Sequence, residues 1–289
     1  MYGIEGRSWV ALGDPVGPET EVVELAWRFR ELCDQQDSWP VFYEVPPTYL
    51  PLYLDLGFSL LKLGEQGRVR LDTFSLDGKA RRPFRYVCNR LEKQRCVFEA
   101  VAADAVPPLI AELKEISDTW LTQKQTREKG FSLGFFTPEY LQRGPVALVR
   151  QDGKIIAFAN LWLGADQEEL SPDLMRYRPE APDDVMEYLF IQLMLWGKAH
   201  GFRWFSLGMA PLSGLEDRAL APLWNRLGAF MFRHGEHFYN FQGVRAYKEK
   251  FDPEWEPCYL ACPGGLALPR ILTNIATLIS GGLKGMVSK

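Results

Sequence analysis

Apolar positions along the chain follow two rhythms, one helical and one of short continuous runs. Over 19–36 and again over 183–200 they recur at the three-to-four spacing of an amphipathic helix. The second of these opens at Pro182, with Asp183 and Asp184 in the first turn, where negative charge suits the helix N-terminus. Apolar runs at 40–45 and 202–207 follow the two helices and read as strands. Next in each case comes a short helix ended by a glycine, Gly57 or Gly228, and then another apolar strand. These last segments align without gaps, LYLDLGFSLLKLGE at 52–65 against LWNRLGAFMFRHGE at 223–236. Helix, strand, helix, strand thus occurs twice, which predicts an internally duplicated chain.

Between the copies lie a strand at 96–102, a helix beginning at Pro107, and a hairpin of 146–150 with 154–164 around the Asp152-Gly153 turn. A further strand covers 170–177. Strand, helix, three-strand meander, helix, strand, helix, strand is the order of the GNAT acyltransferase fold. The predicted class is therefore α/β, as two tandem GNAT-like domains. The first, 1–81, is truncated at its N-terminus, with a strand at 8–12 as the remnant of its opening. A connecting helix at 82–95 leads to the second domain at 96–262. The truncation implies that the chain is a fragment of a longer protein. The last segment, 263–289, forms an amphipathic helix with Leu268, Ile271, Leu272, Ile275, Leu278 and Ile279 on one side and Arg270, Thr273, Asn274 and Thr277 on the other. Such a helix either rests on a bilayer surface or docks on the core of its own domain.

Composition narrows the function classes. With 47% hydrophobic and 24% charged residues the chain is an ordinary globular one, and a net charge of -4 is unlike a dedicated nucleic-acid binder. Any contact with nucleic acid must then come from local basic clusters. The best is Lys79, Arg81, Arg82 and Arg85, continued by Arg90, Lys93 and Arg95. No apolar run reaches the length of a transmembrane helix. Five cysteines make an odd number for a disulfide framework and fit a reducing compartment. His234 and His237 flank Glu236 without a third ligand, so no metal is expected.

Six short words then decide the direction: GDPVG at 13–17, NRLEK at 89–93, GFSLGFF at 130–136, DLMRY at 173–177, GMAPLS at 208–213 and FQGVRAYKEKF at 241–251. In this order they resemble the soluble domain of the bacterial multiple peptide resistance factors. The resemblance implies transfer of an amino acid from aminoacyl-tRNA to the glycerol hydroxyl of phosphatidylglycerol, at the cytoplasmic face of the bacterial inner membrane. It implies alteration of membrane charge, resistance to cationic antimicrobials, and an N-terminal transmembrane flippase in the full-length protein. The ester donor is already activated, so such a reaction needs alignment, proton transfer and oxyanion stabilisation, with no cofactor, metal or covalent intermediate.

Carried onto this sequence, the resemblance assigns Asp173 and Arg176 of a DxMR motif to the catalytic centre. Asp173 takes the hydroxyl proton or holds the substrate ammonium, and Arg176 holds the lipid phosphate or the oxyanion. On a regular strand the two point to opposite faces, so a bulge is required for them to act together. Read as a strand, RAYKEKF places Lys248 and Lys250 on one face, a pair suited to phosphate. Trp120, Tyr140 and Tyr188 are candidate aromatic walls for the terminal adenosine or the acyl chain, and Glu236 a candidate carboxylate for the amino group. The cluster at Lys79, Arg81, Arg82 and Arg85 is assigned to tRNA or lipid phosphates. Alanine is favoured over lysine, because the candidate residues are rich in Trp, Phe and Tyr and the chain looks closer to the alanyl-transferring branch. The alternatives are a tRNA-dependent peptidoglycan cross-bridge transferase, a coenzyme A-dependent N-acetyltransferase, and a non-enzymatic membrane-docking module. The second of these lacks its Q/R-x-x-G-x-G/A loop before the helix at Asp183.

Overall fold

A computed structural model describes residues 1–215 and 241–281. They form two units, each discontinuous in sequence. The first comprises 1–68, 130–132 and the described residues from 208 onward, and the second comprises 69–129 and 133–207.

The first unit opens with a hairpin of β1 (Tyr2–Glu5) and β2 (Ser8–Leu12), paired antiparallel from Tyr2↔Ala11. β2 runs parallel to β3 (Trp39–Val45), reached through α1 (Glu19–Gln35). A short helix, α2 (Leu50–Asp55), leads into β4 (Ser59–Arg70). Its exit shows why a glycine stands at 57. Gly57 has φ +75°, and the N–H groups of Gly57 and Phe58 donate back to the carbonyls of Leu54 and Tyr53 at 2.8 and 3.0 Å. This is the left-handed cap that satisfies the last helical carbonyls.

From the far end of the chain, β10 (Glu254–Cys262) lies between β3 and β4, antiparallel to both, so the strand order is β1-β2-β3-β10-β4. Neighbouring residues face opposite ways and divide the core. Phe42 and Ala261 pack with Val22 and Ala26 of α1 and with Tyr53 of α2. Val41, Leu260 and Val10 pack instead with Ile271 and Ile275 of α8 (Leu268–Ser280). Both isoleucines are buried, and the Asn274 side-chain amide donates to Ser8 Oγ at 2.9 Å. The C-terminal amphipathic helix therefore docks on its own unit, with its apolar stripe turned inward.

One element differs in type from the sequence expectation. The RAYKEKF segment belongs to a helix, α7 (Phe241–Glu249), rather than a strand. Val244, Tyr247 and Phe251 repeat at three and four residues, Phe251 is fully buried, and Arg245 pairs with Glu249 one turn on at 3.3 Å. Lys248 and Lys250, two residues apart, are consequently not on a shared face. The Lys250 ammonium lies 5.3 Å from the Tyr247 ring. The compact units also cut across the boundaries expected at 81, 95 and 262. Order along the chain groups residues 208–262 with 96–207, whereas β10 pairs with β3 and β4.

The second unit carries the expected order. β5 (Cys96–Val101) is followed by α4 (Ile110–Gln123), and a meander of β6 (Val146–Gln151), β7 (Lys154–Leu163) and β8 (Glu169–Tyr177) follows. Then come α6 (Val185–Ala199) and β9 (Trp204–Pro211), whose start pairs parallel with β8, giving the strand order β9-β8-β7-β6-β5. α4 covers one face, Leu113 and Ile116 meeting Leu148, Phe158 and Leu174. α6 covers the other, so closely that a Cβ on Gly197 would stand 2.8 and 2.9 Å from Leu170 and Leu71 side chains. The helix expected at 82–95 is α3 (Arg82–Lys93), tied to α6's start by the ion pair of Arg90 with Asp184. The α/β class stands. The second half of the aligned repeat, 223–236, lies outside the described residues.

Candidate active site

In the second unit the chemistry gathers where β8 departs from regular pairing. Ala159 faces Met175 and Leu161 faces Pro172, so two residues of β8, Asp173 and Leu174, stand opposite the single Asn160 of β7. This is a bulge, and it reverses the alternation of side chains. Leu170 faces α6, whereas Leu174 and Arg176 both face α4, and the side chain of Asp173 turns to the segment that precedes α5 (Pro138–Leu141). Asn160, buried, repairs the broken ladder by accepting the Leu174 N–H at 2.7 Å. The bulge required to bring Asp173 and Arg176 to one side is thus present.

Asp173 is held by two donors. The Gly134 N–H reaches Oδ1 at 3.0 Å, and the Tyr140 hydroxyl donates to Oδ2. A glycine is needed at 134, since a Cβ there would overlap the Asp173 carboxylate. The Tyr140 oxygen accepts from Trp162 Nε1 at 2.9 Å. Burial, and then the Asp173 carboxylate beside it, push the Tyr140 phenol up to about 12, so it keeps its proton. Tyr140, Asn160, Trp162 and Arg143 line a cavity of about 230 Å³.

Arg176 lies over Trp120, its Cζ 4.3 Å from the ring centre, and pairs with Glu128 at 3.0 Å. Burial lowers its pKa, opposed by Glu128 and Asp173. Arg176 Nε and Trp120 Nε1 are both buried with no hydrogen-bond partner among the described residues. Such donors, on a guanidinium and on the ring it lies over, suit a ligand oxygen carrying or developing negative charge.

Lys248 sits in the first unit. Its ammonium donates to the Met209 carbonyl at 2.7 Å, and burial lowers its pKa to about 8 against the opposing pull of Glu44. Glu44 occupies a bulge of β3 with φ +62°, between the pairs Tyr43↔Leu260 and Val45↔Tyr259. Its carboxyl is raised by burial, as is the neighbouring Tyr43 phenol, which also meets Ser132.

The remaining candidates divide. Trp120 and Tyr140 join Arg176 and Asp173. Tyr188 does not: it is a core residue of α6, its phenol pushed up to about 12 by burial. Glu236 lies outside the described residues. In the basic cluster, Arg85 donates to the Leu76 and Gly78 carbonyls and Arg81 lies 5.5 Å over Phe84, which leaves Lys79 and Arg82 as its exposed members. Among the described residues no cluster of His, Cys, Asp and Glu has the makings of a metal site. Sequence alone assigns no role to Gly134, Asn160, Trp162, Glu128 or Glu44. The visible signals are the place of Gly134 in the word at 130–136 and a lone Asn in the apolar run of β7.

The fold is an α/β one shared with a crystal structure of FemX, at TM-score 0.59 and 10% identity over 92% of this chain and 83% of that one. More narrowly, the chain belongs to the family described as phosphatidylglycerol lysyltransferase, C-terminal, whose model matches residues 1–262. It is 38% identical over 99% of its length to a phosphatidylglycerol lysyltransferase of Bacillus subtilis, and it spans about a third of that relative's length. It is 42% identical, with TM-score 0.87, to a crystal structure of the C-terminal domain of a proposed lysylphosphatidylglycerol synthetase from Agrobacterium fabrum, covering 99% of this chain and 87% of that one.

Proposed function

We propose that this chain transfers an amino acid from aminoacyl-tRNA to the free glycerol hydroxyl of phosphatidylglycerol. The observation that carries the reading is the bulge of β8, which turns Asp173 and Arg176 to the α4 side of the sheet, where Arg176 feels the Asp173 charge and its Nε, like Trp120 Nε1, has no acceptor among the described residues. The family and its relatives' names supply the lipid and the reaction class. In the proposed step the glycerol oxygen attacks the ester carbonyl while Asp173 takes its proton. Arg176 and Trp120 donate to the oxyanion, the bond to the tRNA ribose oxygen breaks, and that oxygen takes the proton. Tyr140, holding its own proton, and Gly134 orient the carboxylate. Lys248 serves a phosphate of either substrate. The transfer masks lipid negative charge and so gives resistance to cationic antimicrobials. It takes place at the cytoplasmic membrane face, with a transmembrane flippase as partner in the longer protein.

Alanine remains the favoured acyl group on the geometry of the second unit, where Asp173 is engaged by Gly134 and Tyr140 and Glu128 by Arg176. Lysine is the second reading, favoured by the names of the relatives. Incubating the protein with phosphatidylglycerol and alanyl-tRNA or lysyl-tRNA, and following label into lipid, separates them. Label from neither donor would sink the proposed reaction.

A further inference from the structure

Next to the Asp173 site the second unit exposes apolar side chains that the transfer chemistry does not use. Leu133, Phe135 and Trp162 are 47%, 45% and 52% exposed. The Phe135 ring stacks on Tyr140 at 6.2 Å, Tyr140 meets Trp162 at 5.9 Å, and Leu133 lies two residues before Phe135 along the chain. An exposed apolar patch of this kind marks a surface that is covered in use. The charge along 127–143 is mainly positive. Of the ionic side chains in 127–143, Glu128 is paired with Arg176, which leaves exposed Arg127, Lys129 and Arg143 against Glu139. Stacking on nucleobases would use the aromatic rings but not Leu133, whereas the bilayer boundary accepts Trp, Phe and Leu together and rewards flanking cations when the lipid is anionic. The inward-facing apolar stripe of α8 offers no such surface.

We propose that this face docks on the surface of an anionic bilayer. Leu133, Phe135 and Trp162 enter the headgroup boundary, and Arg127, Lys129 and Arg143 meet lipid phosphates. Asp173, one hydrogen bond from Tyr140, is thereby held at headgroup depth, where the acceptor hydroxyl lies. The inference rests on the reading that the acceptor is a membrane lipid.

The test uses the whole chain and two vesicle compositions, phosphatidylglycerol with phosphatidylcholine and phosphatidylcholine alone. Sedimentation should show binding to the anionic vesicles, weakened by salt. The double variant Leu133→Ser, Phe135→Ser should bind them about tenfold or more weakly, with an unchanged melting temperature because both side chains are exposed. Transfer by this variant should fall on vesicles and persist on phosphatidylglycerol dispersed in detergent. Equal vesicle binding by variant and parent overturns the docking face, as does loss of tRNA binding with vesicle binding intact. If the parent binds vesicles through these residues but transfers no amino acid to any lipid, the docking face stands and the proposed reaction falls.

Discussion

Gly134 and Asn160 touch the proposed chemistry only through a neighbour, yet each fixes something that a motif alone does not supply. Gly134 leaves the space that the Asp173 carboxylate fills, so Gly134→Ala should lower transfer about as strongly as Asp173→Asn while the protein stays folded. Asp173→Asn and Arg176→Ala should each lower product formation at least tenfold, about 1.4 kcal/mol or more of transition-state stabilisation, measured as kcat/KM with lipid acceptor. Near-normal transfer by the folded variants would remove both residues from the centre. Asn160→Ala should instead cost stability, about 1–3 kcal/mol by denaturant titration, since it leaves the buried Leu174 N–H without an acceptor. Lys248 gives a pH signature. Its folded pKa of about 8 lies below the ordinary lysine value, so between about pH 8 and 10.5 the unfolded chain binds more protons and stability rises with pH. Relative to Lys248→Met, the parent should gain up to about 2–3 kcal/mol across that window, followed by paired melts. Asp173 and Arg176 were legible in the sequence because they share a recognisable word, DLMRY. Gly134 lies in another, GFSLGFF, but its role and that of Glu128 exist only in space, where Gly134 meets the Asp173 carboxylate and Glu128 pairs with Arg176.

At the scale of elements, local pattern was a sound guide wherever one periodicity prevailed. The strand at 8–12 and the hairpin around Asp152-Gly153 are examples, with boundaries moving by a residue or two at most. It misled in RAYKEKF, where alternating charge and bulk imitates a strand while the wider spacing of Val244, Tyr247 and Phe251 is helical. α8 was legible as amphipathic but not in what it meets, because lipid and a protein core ask for the same stripe. Its docking makes a prediction. Ile271→Ser or Ile275→Ser should destabilise the protein by about 2–5 kcal/mol, read from denaturant unfolding, because each side chain is buried in the first unit's core. Unchanged stability in both variants would contradict the packing.

For the whole molecule, element order revealed the α/β class but not the discontinuity of the units, since no local signal tells β10 where to pair. That placement bears on how the protein is made. Tyr43 leaves the ribosome more than two hundred residues before its partner Leu260, an interval of roughly 10–40 s at usual elongation rates. During that time β3 and β4 have a vacant channel between them, with apolar edges and unpaired amides that invite wrong partners. The described strands of the second unit are all made by residue 211, so it is free to organise first. Nascent chains stalled before Glu254 should therefore be cut readily by protease within 39–68, and release of the full chain should close that region. The first unit is thus an open frame on the ribosome until β10 arrives to fill it.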